Sequence, residues 1–291
     1  MKGLIIAKTA DMQKSDWLAL REKGIGGSQA AAAIGLSRWQ DPLTLWAEKT
    51  GRIKAQEAGE AAYWGNVLEP IVAQRFEEVT GFSVRRHNAL LAHEDKEYNF
   101  MRANLDRVLV GKNQILEVKT AGAFKAGEWE DEEIPIEYYC QGQHYLAVTG
   151  AEGVHYAVLI GGQRFHHVYA PRDEDFIAEL MKAEKEFWGY VERNEQPPVN
   201  ASESCANALK ELYPDSGKQV VELPREADLW TKELDRAAKL IKDGTEKKLF
   251  YQNLLISQLA GADAWGGLTP SGRKVTWRTG KNGAKRFNLQ K

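Results

Sequence analysis

The chain has 291 residues, of which 43% are hydrophobic and 27% charged, and this composition is typical of an ordinary globular protein. Its net charge of −2 argues against a protein that coats nucleic acid through bulk charge, although it does not exclude binding in a local groove. No apolar run reaches the roughly 20 residues of a membrane span, and two isolated cysteines exclude a disulfide framework. A reducing, cytoplasmic location is therefore expected.

Helices and strands alternate along the first two thirds of the chain. Ser15 is the predicted N-cap of the first helix, and Asp41 with Pro42 predicts the start of the third. Strands flanked by helices predict an α/β core. The elements expected in chain order are helices at 15–21, after Gly27, at 42–51 and at 60–81; strands within 82–92, 103–110 and 114–120; a helix at 137–149; strands at 153–160 and 163–170; and a helix at 173–194.

The two strands predicted at 103–110 and 114–120 carry the most informative residues of the chain. They flank a glycine-containing turn and therefore predict a hairpin, with Asp106 on its first strand. Glu117 and Lys119 on the second strand share one face because side chains alternate across a sheet.

Two carboxylates and an ammonium group that converge on one face of a sheet cost stability unless they hold a ligand. The usual ligand of such a group is a divalent metal with oxygen donors. Asp106, Glu117 and Lys119 thus indicate metal-assisted phosphodiester hydrolysis, although the pattern alone also describes a solvated sheet face.

Three further features favour the same chemistry, each with a simpler alternative. Glu69 borders the apolar side of its helix and can turn toward the sheet as an extra ligand; otherwise it is an exposed helix acid. Arg21 and Ser28 flank a glycine-rich turn and can bind a phosphate, unless Ser28 is an ordinary N-cap. Gln141 shares a helix face with Tyr138 and can orient an attacking water, unless it is a surface residue.

Taken in order and spacing, five sequence blocks resemble the YqaJ-type viral recombinases, the lambda-type alkaline exonucleases. The blocks are REKGIGGSQAAAAIGLS, WGNVLEP, LDRVLV, ILEVKTA and YYCQGQHYLAVTG, and the resemblance covers roughly Trp17 to Pro198. It implies a restriction-endonuclease-like PD-(D/E)XK core, with a central mixed β-sheet flanked by helices.

The resemblance also implies an activity and a setting. Members digest double-stranded DNA from a free end in the 5′→3′ direction, release 5′-mononucleotides and leave a 3′ single strand for an annealing protein in phage recombination. It implies two Mg²⁺ ions, with Mn²⁺ as an alternative, and a ring-shaped homotrimer around DNA. The protein would be encoded by a phage or prophage and act in the bacterial cytoplasm.

Site residues follow from the resemblance at the matching positions. Asp106 and Glu117 would be the main metal ligands, with the Val118 carbonyl and Glu69 completing the sites. Lys119 would position or deprotonate the attacking water.

The remaining matched positions would support the metal site and bind the DNA end. Gln141 would support the catalytic geometry, and Arg21 and Ser28 would bind the 5′-phosphate. Tyr138 is also expected to contact DNA. Asn104 departs from the pattern, since the family can use a serine there, but an asparagine can still donate a hydrogen bond.

Pro197 and Pro198 mark the predicted boundary between a nuclease core, 1–198, and a C-terminal extension, 199–291. The extension is predicted to hold a short helix, a long helix from Arg225 to about Gly261 that is interrupted or weakened at Gly244, and a terminal β-hairpin. From position 266 the chain contains seven basic residues and no acidic one: Arg273, Lys274, Arg278, Lys281, Lys285, Arg286 and Lys291.

The role of this extension stays open at the level of sequence. In one hypothesis its basic hairpin holds DNA, with Trp277 stacking on bases. In another, the long helix and the hairpin pack on a neighbouring subunit or on the annealing partner. In a third, the extension only stabilises the fold. Two rivals to the exonuclease remain as well: a restriction-like DNA endonuclease, and a catalytically silent DNA-binding scaffold.

Overall fold

The computed structural model describes residues 2–55, 59–130, 133–215, 217, 220–280 and 282–290. The chain divides into two compact units, Met1–Ser216 and Gly217–Lys291. Within the described residues, no helix is long and apolar enough to cross a membrane.

The first unit contains two β-sheets. The larger sheet is mixed and has the strand order β3-β6-β7-β8-β9, with β7 and β8 parallel and the other neighbours antiparallel. The smaller sheet has the order β1-β4-β5-β2. The strands are β1 (Leu4–Lys8), β2 (Ile25–Gly26), β3 (Val84–Arg85), β4 (Ala89–Ala92), β5 (Met101–Asn104), β6 (Arg107–Leu109), β7 (Gln114–Ala121), β8 (Gly153–Ile160) and β9 (Arg164–Pro171).

Seven α-helices of the described residues surround these sheets. They are α1 (Lys14–Glu22), α2 (Gly27–Ala33), α3 (Pro42–Lys49), α4 (Glu60–Thr80), α5 (Ile136–Thr149), α6 (Glu174–Arg193) and α7 (Glu203–Leu212). Short 3₁₀ helices lie at Lys96–Tyr98 and Ala123–Trp129. The helices predicted from sequence are all present, with ends shifted by one or two residues.

Strand alternation in β7 gives the two faces of the larger sheet different neighbours. Leu116 and Val118 pack in a cluster with Val72 and Phe76 of α4. Ile115 packs on the opposite side, in the main core that includes residues of α5. Glu117 and Lys119 share the face of Ile115, as the alternation predicted.

The strand predicted at 103–110 is wrong in one respect, because it divides between the two sheets. Its first part is β5, which pairs with β4, and its second part is β6, which pairs with β7. Asp106 lies in the bend between them instead of within a strand. The break has a physical role, since it frees the Asp106 carboxylate to accept a hydrogen bond from the backbone of β7.

Other elements also differ from the sequence prediction. Ser15 lies inside α1, whose N-cap is Gln13, so Ser15 is not the cap. The predictions for Asp41 and the small-residue helix are confirmed: Asp41 accepts a hydrogen bond from the Thr44 N–H at 2.9 Å. Strands β1 and β2 were not predicted, because both are short and form only through distant pairing.

Helix α7 belongs to the first unit, although the sequence boundary at 198 assigned it to the extension. Cys205 and Ala208 are buried in the main core. The Ser204 hydroxyl hydrogen-bonds Thr44 Oγ1 at 2.8 Å and accepts from the Asp41 N–H at 3.2 Å. The boundary between the two compact units along the chain therefore lies at 216–217 and not at the double proline.

The second unit consists of one long helix and a small antiparallel sheet. Helix α8 (Ala227–Gly261) continues through Gly244 without an interruption, because good helix formers on both sides outweigh the cost of one glycine; a weakening at Gly244, the other predicted effect, stays a prediction. The sheet contains β10 (Gly266–Leu268), which was not predicted, β11 (Lys274–Thr279) and β12 (Lys285–Leu289). Lys285 Nζ lies 3.8 Å from the Trp277 ring centroid. Lys281 and Lys291 of the basic set lie outside the described residues.

A buried ion pair joins α5 to α6 in the first unit. Both side chains of the pair, His144 and Glu184, have no exposed surface, and His144 Nδ1 lies 2.8 Å from one Glu184 carboxylate oxygen. Burial alone would lower the pKa of His144, but the Glu184 charge and hydrogen bond outweigh it, and the pKa is raised. His144 Nε2 donates to the Arg102 carbonyl at 2.9 Å, so the pair also anchors β5.

We expect Glu184→Gln to destabilise the protein in a pH-dependent way. A raised histidine pKa contributes stability that is complete below the ordinary value of 6.5 and is lost as the pH rises through the folded-state value. The variant should lose about 3 kcal/mol of unfolding free energy near pH 6, and less at higher pH. Denaturant unfolding across pH tests this, with the exposed Glu179→Gln on the same helix as the control; equal losses at all pH values would contradict it.

Candidate active site

A cleft of about 450 Å³ opens in the first unit between helices α1, α2, α4 and α5 and strands β5 and β7. Every candidate site residue that the sequence singled out lines it: Arg21, Ser28, Glu69, Asn104, Asp106, Glu117, Val118, Lys119, Tyr138 and Gln141. These residues come from six separate elements and from the bend at Asp106. The fold therefore brings into one cavity the residues that were predicted from separate sequence motifs.

Glu117, Lys119 and Gln141 form one hydrogen-bonded network at the base of the cleft. Lys119 Nζ donates to Glu117 Oε1 at 2.7 Å and to Gln141 Oε1 at 2.9 Å. Gln141 Nε2 donates to the same Glu117 oxygen at 2.5 Å. Glu117 Oε2 is buried and has no protein partner. One carboxylate oxygen is thus fully used, while the other is left for a ligand.

Asp106 occupies the position where a neighbouring strand would otherwise pair with β7. Its Oδ2 accepts a hydrogen bond from the Val118 N–H at 2.9 Å, whereas β6 pairs with β7 only at Leu116 and Ile115. The N–H and C=O of one residue point to the same side of an extended strand, so the Val118 carbonyl also faces the Asp106 side. Asp106, Glu117 and Val118 together present oxygen atoms around one edge of β7.

The electrostatics of this group favour a bound cation. Burial, followed by the charge of Glu117, raises the pKa of Asp106 to about 8. Burial also raises the pKa of Glu117, against the lowering effect of Lys119. For Lys119, burial would lower the pKa, but the charges of Glu117 and Asp106 outweigh it and the pKa is raised. Two buried carboxylates that share one ammonium group leave a local excess of negative charge when ionised.

The type of donor atom in the cleft fits a hard divalent cation, but the number of side-chain ligands is small. Carboxylate and carbonyl oxygens are the ligands that Mg²⁺ prefers, and the cleft supplies both. Among the described residues, no group of three His, Cys, Asp or Glu side chains is arranged to hold a metal by itself. Glu69 lies in the cleft, but its carboxylate forms an ion pair with Arg107, so its role as a ligand stays a prediction.

The other end of the cleft is cationic. The Arg21 guanidinium contacts the Ser28 hydroxyl at 3.2 Å and lies 4.5 Å from the Trp17 ring centroid. Burial lowers the pKa of Arg21. Lys49 donates to the Arg21 carbonyl at 2.9 Å, and burial followed by the Arg21 charge lowers the pKa of Lys49 to about 8.

A close helix contact positions this cationic end against the network of Glu117, Lys119 and Gln141. Gly27 at the start of α2 packs on the ring of Tyr145, and a Cβ at this position would overlap the ring. The Tyr145 hydroxyl in turn accepts a hydrogen bond from Gln141 Nε2 at 3.1 Å. Gly27 is therefore required by packing, in addition to any role of its turn.

Sequence reasoning missed four residues that line or support the cleft: Trp17, Arg102, Arg107 and Tyr145. Arg107 is almost fully buried and donates to the Asp106 carbonyl at 2.7 Å as well as pairing with Glu69. The available signal was an arginine inside the apolar segment LDRVLV. The histidines His155 and His167 stack on each other outside this cleft.

Comparison with known proteins identifies relatives of the chain. The sequence model of the YqaJ-like viral recombinase domain matches residues 16–152. The chain is 45% identical over 216 residues to the uncharacterized protein YqaJ of Bacillus subtilis (strain 168), covering 73% of this chain and 67% of that protein.

Solved structures give the fold. The chain is similar to the crystal structure of an alkaline exonuclease (LHK-Exo) from Laribacter hongkongensis, with a TM-score of 0.54 and 20% identity over 62% of this chain and 94% of that one. The complex of LHK-Exo with dAMP matches with a TM-score of 0.53, at the same identity and coverage. The core thus has the restriction-endonuclease-like fold, and by its sequence relatives the chain belongs to the YqaJ-like viral recombinase family.

Proposed function

We propose that this protein is a metal-dependent deoxyribonuclease that digests double-stranded DNA from a free 5′ end. The observation that carries the proposal is the convergence of Asp106, Glu117, Lys119 and Gln141, with Glu117 Oε2 unpartnered, in one cleft. The family membership supports DNA processing, and the similar fold of LHK-Exo, an alkaline exonuclease, supports exonuclease chemistry.

Asp106, Glu117 and the Val118 carbonyl would hold Mg²⁺, with Mn²⁺ as an alternative. When bound, the metal would stabilise negative charge that develops on the oxygens of the phosphodiester. Lys119 would hold the attacking water through its N–H donors, and Gln141 would fix both Lys119 and the Glu117 carboxylate in place.

The cationic end of the cleft supports the 5′→3′ polarity. Arg21 and Ser28 would bind the terminal phosphate, and Asn104 and Tyr138 line the same cavity. Holding a 5′-phosphate beside the carboxylates places the first phosphodiester of that strand within reach of them. Each cut then releases a 5′-mononucleotide and exposes a new 5′-phosphate for the same pocket.

The setting proposed for this activity is phage recombination in a bacterial cytoplasm. The remaining 3′ single strand would pass to an annealing protein, and a ring-shaped homotrimer would keep the enzyme on one DNA end. The family membership supports this setting. The basic residues of the second unit, among them Arg278 and Lys285, are available to contact DNA or a protein partner.

A single digestion experiment tests the function. A linear duplex labelled at one 5′ end is incubated with Mg²⁺ beside a closed circular DNA and an EDTA control. We expect labelled mononucleotides from the linear duplex only, and none with EDTA. Nicking of the circle would favour an endonuclease, and an absence of cleavage with Mg²⁺ and also with Mn²⁺ in its place would favour a DNA-binding scaffold.

Lys119→Ala should abolish cleavage while leaving DNA binding largely intact. The change removes the donor to the attacking water and leaves the cationic end of the cleft unaltered, so we expect a rate loss of about 100-fold or more. Single-turnover digestion and a binding assay with Ca²⁺ measure the two properties. The exposed Lys182→Ala is the matched control, and a wild-type rate in Lys119→Ala would refute the assignment.

Arg21→Ala should reduce the preference for phosphorylated ends. Loss of charge-assisted hydrogen bonds to the phosphate should slow digestion of a 5′-phosphorylated duplex by about tenfold or more, with little effect on a 5′-hydroxyl duplex. The measurement is the ratio of the two initial rates, with Arg75→Ala on the outer part of α4 as the control. An unchanged ratio would show that the phosphate is bound elsewhere.

Asp106→Asn should stabilise the protein when divalent metal is absent. Asparagine keeps an oxygen for the Val118 N–H but removes one of two buried carboxylates. Since the pKa of Asp106 is raised to about 8, its ionised form opposes folding, and the variant should gain roughly 1–3 kcal/mol near pH 8 in EDTA.

Added Mg²⁺ provides the complementary half of this measurement. It should raise the thermal midpoint of the wild type and not that of Asp106→Asn, because ligand binding stabilises only a protein that keeps its site. The exposed Glu186→Gln serves as the control. A variant that is less stable than the wild type in EDTA would contradict the expected charge repulsion.

A further inference from the structure

Arg102 is a second guanidinium in the cleft that the proposed mechanism does not use. It lies on β5, two residues before Asn104, so both side chains leave the strand on one face and both line the cavity. Neither Arg102 nor Arg21 forms an ion pair with a carboxylate within the described part of the chain. Two partly buried cations that lack a carboxylate partner of their own are costly to the fold unless an anion joins them.

The N–H donors of the Arg102 guanidinium have few and long hydrogen bonds. Its Nε is buried without a partner. Its terminal nitrogens reach only Asn99 Oδ1 at 3.4 Å and the Lys23 carbonyl at 3.5 Å, both at the limit of a hydrogen bond. Burial lowers the pKa of Arg102, and no neighbouring acid opposes this effect.

The surrounding fold nevertheless holds Arg102 in place. A Cβ at Gly24 would lie 2.7 Å from Arg102 Cγ and would overlap the Phe100 carbonyl, so a glycine is needed for the side chain to pack there. From the other side, the buried His144–Glu184 pair binds the Arg102 carbonyl. The backbone and the aliphatic part of Arg102 are thus fixed, whereas its guanidinium keeps free hydrogen-bond donors. Such an arginine is preorganised for a ligand.

We propose that Arg102 and Arg21 form a two-guanidinium site for a terminal phosphate monoester, in which Arg102 provides the discrimination against ends that lack this group. This rests on the proposed function, because it assigns the specificity of the same cleft. A phosphate monoester carries close to two negative charges near pH 7 and has three terminal oxygens, so it can accept from two forked donors. A 5′-hydroxyl end offers neither the charge nor the oxygens.

The first test measures binding without catalysis. Inorganic phosphate is titrated into the full-length protein in EDTA, using the wild type, Arg102→Gln, Arg102→Lys and the exposed Arg193→Gln as control. We expect Arg102→Gln to weaken binding about tenfold or more. Arg102→Lys should be intermediate, because it keeps the charge but loses the fork. Arg193→Gln should match the wild type.

The second test uses the nuclease assay with Mg²⁺. In Arg102→Gln, the ratio of the initial rate on a 5′-phosphorylated duplex to that on a 5′-hydroxyl duplex should fall. The fall should come from a slower rate on the phosphorylated duplex. Unchanged phosphate binding with an unchanged ratio would overturn the inference, as would an absence of phosphate binding in the wild type. Equal losses on both substrates would also overturn it, since they indicate a structural role.

The two tests separate this inference from the proposed function. If the wild type binds phosphate, loses that binding in Arg102→Gln and cuts no DNA, the anion site stands and the nuclease proposal fails. If the wild type digests DNA but Arg102→Gln keeps both its phosphate affinity and its end preference, the nuclease stands and the role of Arg102 is refuted. Arg102→Lys guards against a misfolded glutamine variant, because it retains the packed stem.

Discussion

The break between β5 and β6 is the constraint on which the site depends. It sends the continuous segment 101–109 into two sheets and leaves β7 beyond Leu116 without a strand neighbour on that side. The Asp106 carboxylate fills the vacant place by accepting the Val118 N–H. In a regular hairpin, backbone groups of the neighbouring strand would have paired with the N–H and C=O groups of β7. The Asp106 carboxylate would then not have been placed beside Val118 and Glu117.

The face on which the candidate catalytic residues lie was predictable, because it depends only on local periodicity. Alternation along β7 assigns Glu117 and Lys119 to one side and Val118 to the other, and the packing on α4 agrees. The helical period of α5 likewise brings Gln141 onto the face that reaches Lys119. The order of the motifs, compared with the family pattern, then predicted that elements far apart in sequence contribute to one site. Composition and periodicity alone cannot predict this.

The break itself was not predictable, because it arises from long-range pairing. Leu105, Val108 and Leu109 near Asp106 are residues that can continue one strand, and only the competing partners β4 and β7 divide the segment. Arg102 and Arg107 were missed for a related reason. An arginine on a strand is ordinarily taken as an exposed residue, whereas here Arg107 is buried against Glu69 and Arg102 is held by the close approach of Gly24.

The charges of the cleft are arranged in a way that stability alone would not produce. Glu117 has a buried oxygen without a partner, and Arg102, in the same cavity, has a buried nitrogen without one. A fold optimised only for stability would let such groups of opposite sign neutralise each other. Here each is anchored separately: Glu117 by Lys119 and Gln141, and Arg102 by its strand. Opposite unsatisfied groups held apart in one cavity are the arrangement that the proposed function requires, in which an anionic DNA end and a metal cation would bind side by side.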